Sequence, residues 1–192
     1  MKKRISNYIE DAVNNYNALL FNEGIQNTIG LIIDKSIQAF QNGNKILLCG
    51  NGGSAADAQH IASELSGKFC IDRPPLYAEA LHVNSSYITS VSNDYGYATT
   101  YSRMVEAAGR KHDILIGLST SGKSQNVLNA LIKAKEKGML TVGLTGKDIG
   151  EMNTVCDIII NVPSTETARV QEGHILIGHI ICQLIEEKIF GG

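Results

Sequence analysis

Residues 45–65 read KILLCGNGGSAADAQHIASEL, and residues 113–131 read DILIGLSTSGKSQNVLNAL. Each is a short apolar run, a turn rich in glycine and serine, and then a segment of helical periodicity. The apolar runs are about strand length and do not alternate, as expected of a parallel sheet covered on both faces. Two strand–turn–helix units of this kind predict a doubly wound α/β domain. In such open sheets the ligand sits beyond the carboxyl ends of the strands, so the two turns should face one crevice.

Outward from these units the same texture continues. Further strands are expected at LYAEAL (76–81), MLTVGL (139–144) and DIIINV (157–162), and helices at about 54–66, 97–109, 123–137 and 166–189. Residues 6–40 read as two more helices. Ile9, Val13, Tyr16 and Leu20 recur at helical spacing behind a Ser6 cap, and Ile29, Ile32, Ile33, Ile37 and Phe40 do so before a stop at Asn42-Gly43. The 192 residues, 43% hydrophobic and 19% charged, suit one globular domain spanning 1–192, with helices in 1–43 and an α/β core in 44–192. A net charge of −2 points to no nucleic acid and no membrane as a partner. No apolar run approaches the ~20 residues of a membrane span, and the start, MKKRISNYIEDAVNN, has no signal-peptide core. Cys49, Cys70, Cys156 and Cys182 form no C-x-x-C pair and are expected as thiols in a reducing cytoplasm.

The second turn contains GLSTSGKS (117–124), which fits the nucleotide-loop pattern G-x-x-x-x-G-K-[ST]. Such a loop also needs a magnesium carboxylate ending a later strand. MLTVGLTG ends in Gly and Thr, and DIIINVPS carries its Asp at the front, so no nucleotide is expected. The hydroxyls of Ser119, Thr120, Ser121 and Ser124, with backbone N–H groups at the next helix, suit a phosphate monoester held without metal. Lys123 is then peripheral. A serine-rich helix cap is the plainer alternative. The first turn matches the loose dinucleotide pattern through Gly50, Gly52 and Ala55, but Asp72 precedes the next strand instead of ending it. Its remaining assets are N–H groups and a hydroxyl from Asn51, Gly52, Gly53 and Ser54 at a helix N-terminus, unless the glycines serve only a tight turn.

His60 and Glu64 lie four apart on the helix that follows the first turn. Gln171, His174 and His179 interrupt the apolar last helix. Two histidines, a carboxylate and an amide are suited to proton transfer, to binding a divalent metal, or to both; a surface histidine beside a solvated glutamate is the bland alternative. Gln171 and His179 are ~12 Å apart along one straight helix, so one ion takes both only if Gln171 lies at the helix entry or a subunit boundary supplies one ligand.

Taken together, CGNGGSAADAQHIASEL, Asn93-Asp94, STSGKS, LTGKDIG and RVQEGHILIGH resemble the sugar-isomerase (SIS) phosphosugar-binding domain, and within it the phosphoheptose isomerases. The resemblance covers nearly the whole chain. It implies a flavodoxin-like five-stranded parallel sheet and a homotetramer with intersubunit active sites, for which residues 1–43 would serve oligomerisation. It implies an aldose–ketose isomerase acting on sedoheptulose 7-phosphate, the first step towards activated heptose for lipopolysaccharide or capsule. The implied substrate contacts are Asn51, Gly52, Gly53, Ser54, Glu64, Asn93, Asp94, Ser119, Thr120, Ser121, Ser124 and Gln171. The implied zinc ligands are His60, Glu64, Gln171 and His179, with Glu64 and His179 as the acid–base pair. The same domain class includes a non-catalytic tetramer that binds the replication initiator; it lacks the equivalents of Glu64 and His179, both present here. It also includes DNA-binding sugar-phosphate sensors, whose basic recognition helix the roughly 44 residues before the first strand do not supply.

Overall fold

The computed structural model describes residues 1–148 and 150–191; Ile149, within LTGKDIG, and Gly192 lie outside the described residues. In chain order the elements are α1 (Lys2–Leu20), α2 (Glu23–Gln41), β1 (Ile46–Cys49), α3 (Gly53–Ser66), β2 (Ala78–Ala80), α4 (Ser85–Tyr95), a 3-10 turn (Tyr97–Thr99), α5 (Thr100–Ala108), β3 (Ile114–Leu118), α6 (Gln125–Glu136), β4 (Leu140–Thr145), α7 (Met152–Val155), β5 (Ile158–Asn161) and α8 (Thr167–Phe190). The five strands are all parallel in the order β2-β1-β3-β4-β5, the doubly wound arrangement expected of the flavodoxin-like class.

The non-alternating strands bury both faces. Ile46 and Leu48 of β1 join Ile114 and Ile116 of β3 in one core with α2, α3 and α8. Leu47, Cys49 and Leu115 point the other way, into a second core with Tyr101, Val105, Val127 and Leu131 of α5 and α6. Cys49 pairs with Gly117 at the carboxyl end of β1 and β3, so the turns that follow both strands leave the sheet side by side. Among the described residues, no helix is long and apolar enough to cross a membrane.

Several boundaries differ from the sequence expectation. Helix α1 starts at Lys2, and Ser6 is inside it, its hydroxyl donating to the Lys2 carbonyl instead of capping. The capping residue in this region is Asn22, whose side chain accepts from Ile25 N at 3.0 Å at the start of α2. Helix α4 was not anticipated, because SSYITSVSNDY is rich in residues of modest helix propensity. Its Asn84 cap, which accepts from Tyr87 N at 3.0 Å, offsets that weakness. The expected 97–109 helix is divided between the 3-10 turn and α5, and β2 occupies only Ala78–Ala80.

Candidate active site

The first turn needs its glycine: Gly52 has φ +56° and ψ −121°, outside the range open to a side chain. This reversal lets Ala55 N and Ala56 N both bond the Gly52 carbonyl at 3.1 Å as α3 begins. Ser54, expected to offer its hydroxyl to a ligand, is instead buried. The two turns are latched by paired amides. Asn51 Nδ2 donates to Asn126 Oδ1, and Asn126 Nδ2 donates back to Asn51 Oδ1, both at 2.9 Å. Tyr97 Oη also donates to Asn51 Oδ1 at 2.9 Å, so the segment after Asn93-Asp94 reaches the first turn. Asn93 and Asp94 are exposed at the end of α4, with Asn93 Nδ2 donating to Asp94 Oδ1 at 2.8 Å.

At the second turn, Ser119 Oγ and Ser124 Oγ lie 2.9 Å apart, and Lys123 N donates to Ser121 Oγ at 3.3 Å. Ser124 is the N-cap residue of α6, yet its side chain makes no capping bond. The α6 N-terminus therefore keeps donors for an incoming anion. The Thr120 carbonyl accepts from Gly146 N at 3.1 Å, and the Gly122 carbonyl accepts from Met152 N at 3.3 Å, so the stretch after β4 braces the turn. Lys123 is exposed.

Helices α3 and α8 run side by side in the same direction. Gly53 abuts Gln171, Ile61 abuts Gly178, and the His60 and His179 rings are 5.1 Å apart. A Cβ on Gly178 would lie 2.5 Å from Ile61 Cδ1, so glycine sets how closely the helices approach. This approach brings His60, Glu64 and His179 together: their ligand atoms all fall within 4.8 Å of one another. His60 Nε2 is 3.0 Å from His179 Nε2 and 3.1 Å from Glu64 Oε1. Phe69 also lies beside His179, with ring centroids 5.8 Å apart.

The remaining polar residues fall elsewhere. Gln171 is inside continuous helix α8, against Gly53, so the helix-entry route to the His60–Glu64–His179 cluster is closed within one chain. His174 is fully buried, with neither ring nitrogen in hydrogen-bonding geometry. Burial pushes its pKa down to about 4, outweighing the nearby Thr145 carbonyl. It is a neutral core residue, apart from the cluster. Asp57, one turn before His60, is pushed up to about 6 by burial against the pull of His60. Asn126, Tyr97, Phe69, Arg73 and Glu186 also build or frame the site and were not singled out in the sequence; a polar Asn two residues past Ser124 was the one local signal among them.

A model of the SIS domain matches residues 7–146. The phosphoheptose isomerase of Aneurinibacillus thermoaerophilus is 50% identical over 190 residues, covering 99% of this chain and 96% of that protein. The chain belongs to the phosphoheptose isomerase family. Solved phosphoheptose isomerases from Francisella tularensis (TM-score 0.93, 34% identity, 96% of this chain and 97% of that one) and Neisseria gonorrhoeae (0.91, 37%, 97% and 98%) share its fold over essentially the full length. Family membership carries the enzyme class, an isomerase, and leaves the non-catalytic initiator-binding alternative unfavoured.

Proposed function

We propose that this chain interconverts sedoheptulose 7-phosphate and D-glycero-D-manno-heptose 7-phosphate through an enediol. The observation that carries this reading is the convergence of His60, Glu64 and His179 beside two latched turns. Such a sugar has its reacting carbons at one end and its phosphate at the other. The α6 N-terminus with Thr120, Ser121 and Ser124 suits the phosphate, and Asn51, Gly52 and Gly53 suit its hydroxyls, with Ser54 and Ser119 supporting the two turns from within. Asn93 and Asp94 are assigned to the sugar hydroxyls as well. Glu64 removes the proton from one carbon and returns it to the other, while His179 moves protons on and off the two oxygens.

The donor set also fits zinc. Two imidazoles and a carboxylate are typical zinc ligands, and a tetrahedral site with Zn–N near 2.05 Å separates its ligands by about 3.3 Å. The 3.0 and 3.1 Å spacings here are close to that. His60, Glu64 and His179 would hold the ion, with a Gln171 carboxamide supplied by a neighbouring copy. When bound, zinc supplies Lewis acidity toward the substrate oxygens. A homotetramer with intersubunit sites would provide that copy. Exposed Ile5, Tyr8, Ile9, Val13, Leu20 and Phe21 on and just after α1 are the surface assigned to subunit packing within residues 1–43. The enzyme is assigned to the cytoplasm and to the first step of heptose supply for lipopolysaccharide or capsule.

The test is incubation with sedoheptulose 7-phosphate in D₂O, with and without a chelator. Aldose carrying solvent deuterium at the second carbon is the expected product, and Glu64→Gln should slow it by about 10²–10⁴-fold. No reaction under any metal condition would overturn the assignment.

A further inference from the structure

Beyond the cluster itself, α3 and α8 are joined by a buried polar array. Glu186 lies two turns past His179 on α8, and both it and the Arg73 side chain are about 1% exposed. Its Oε1 accepts from Cys70 N at 2.6 Å and Ile71 N at 2.7 Å; its Oε2 accepts from Phe69 N at 3.0 Å and Arg73 Nε at 2.8 Å. Arg73 directs most of its other hydrogen bonds to the end of α3. Nη2 donates to the carbonyl of Glu64 and Nη1 to that of Leu65, each at 2.8 Å, and Nη1 also reaches Gly67 O and Pro74 O at 3.1 Å.

We infer that Arg73 and Glu186 are positioning residues for the isomerisation, holding Glu64 and His179 at their working separation. One arm fixes Glu64 through its own backbone, in the last turn of α3, where carbonyls lack helical partners. The other fixes Phe69, whose backbone N–H is tied to Glu186 and whose ring lies against His179. Stability alone is a poor reason for such a pair, because well-packed apolar residues often replace a buried ion pair at no cost. What apolar residues cannot reproduce is the directional bonding of three consecutive N–H groups and two carbonyls next to the cluster. Burial would raise the Glu186 pKa, but the N–H groups of Phe69, Ile71 and Cys70, with Arg73, hold it down at about 2, so the carboxylate is charged wherever the enzyme works. The inference rests on Glu64 and His179 being the reacting pair.

The experiment compares Glu186→Gln, Arg73→Lys and Phe69→Leu at a temperature where circular dichroism shows each fully folded. Glu186→Gln and Arg73→Lys should lower kcat by about 10–100-fold and weaken zinc binding, read by competition with a chromogenic chelator, by at least about tenfold. KM for the sugar phosphate should stay within about threefold, because the phosphate and hydroxyl contacts are untouched. Phe69→Leu, which leaves the Glu186 array intact, should give a smaller kcat loss. Wild-type kcat and zinc affinity in folded Glu186→Gln would overturn the inference; if that variant does not fold, the same result in Arg73→Lys or Phe69→Leu would do so. Glu64→Gln separates the two readings: if it retains full turnover the acid–base assignment itself fails, whereas the inference fails alone if only the array variants are silent.

Discussion

Gly178→Ala probes the geometry on which the whole site depends. The added methyl would lie 2.5 Å from Ile61 Cδ1 and 2.6 Å from Ile61 Cγ1, both well inside contact distance. Ile61 is 2% exposed and packed in the core, so it has little room to turn away. Relief must come from α3 and α8 moving apart or from a strained Ile61 rotamer, and overpacking of this kind costs about 1–3 kcal/mol. For a chain of this size each kcal/mol lowers the Tm by about 2–4 °C, which gives a fall of about 2–12 °C. His60 and His179 flank the same contact, with Nε2 atoms 3.0 Å apart, so a widening also loosens the cluster. The assay is thermal unfolding at fixed protein concentration, with and without zinc, alongside kcat. Ile61→Val removes the closer of the two contacts, so the double variant should recover at least ~0.5 kcal/mol relative to additivity. An unchanged Tm together with unchanged zinc stabilisation would refute the claim that this glycine sets the helix spacing.

Three further outcomes follow from the structure. Ser124→Ala should raise KM for the sugar phosphate by about tenfold, the loss of one bond to a charged group, whereas Lys123→Ala should leave kcat and KM near wild type; the reverse ranking in steady-state kinetics would reopen the nucleotide-loop reading. Asn126→Asp opposes a carboxylate to Asn51 Oδ1 and breaks the latch, so KM should rise by about tenfold, and wild-type kinetics would mean the paired amides do not position Asn51. His174 has its pKa lowered to about 4, so the unfolded chain takes up the proton first as pH falls. Its contribution to stability is therefore complete above about pH 6.5 and declines steadily between there and pH 4. Thermal midpoints of His174→Leu across that window should fall less steeply than those of the parent, and parallel profiles would contradict the sign.

Much of this was legible in local pattern. Ile46–Cys49 and Ile114–Leu118 are apolar at every position because alternate residues feed cores on opposite faces, and that demands helices on both sides. The turns announced themselves through Gly52 and the hydroxyls of 119–124, and His60 with Glu64 through helical spacing. Local pattern was weaker where another segment decides the outcome. SSYITSVSNDY becomes helical despite its composition, and Ser54 and Ser119, read as ligand hydroxyls, are buried.

What the sequence determined by itself is thus the parallel sheet, the two glycine- and serine-rich turns and the kinds of side chain at the site, since periodicity and turn chemistry act over a few residues. Only the tertiary structure decided which of those side chains meet. Two parallel helices, drawn close by Gly178, bring His179 to His60 and Glu64 and leave Gln171 against Gly53. Glu186 finds Arg73 across 113 positions of chain. Pairings at that separation depend on packing geometry that no short stretch of sequence contains.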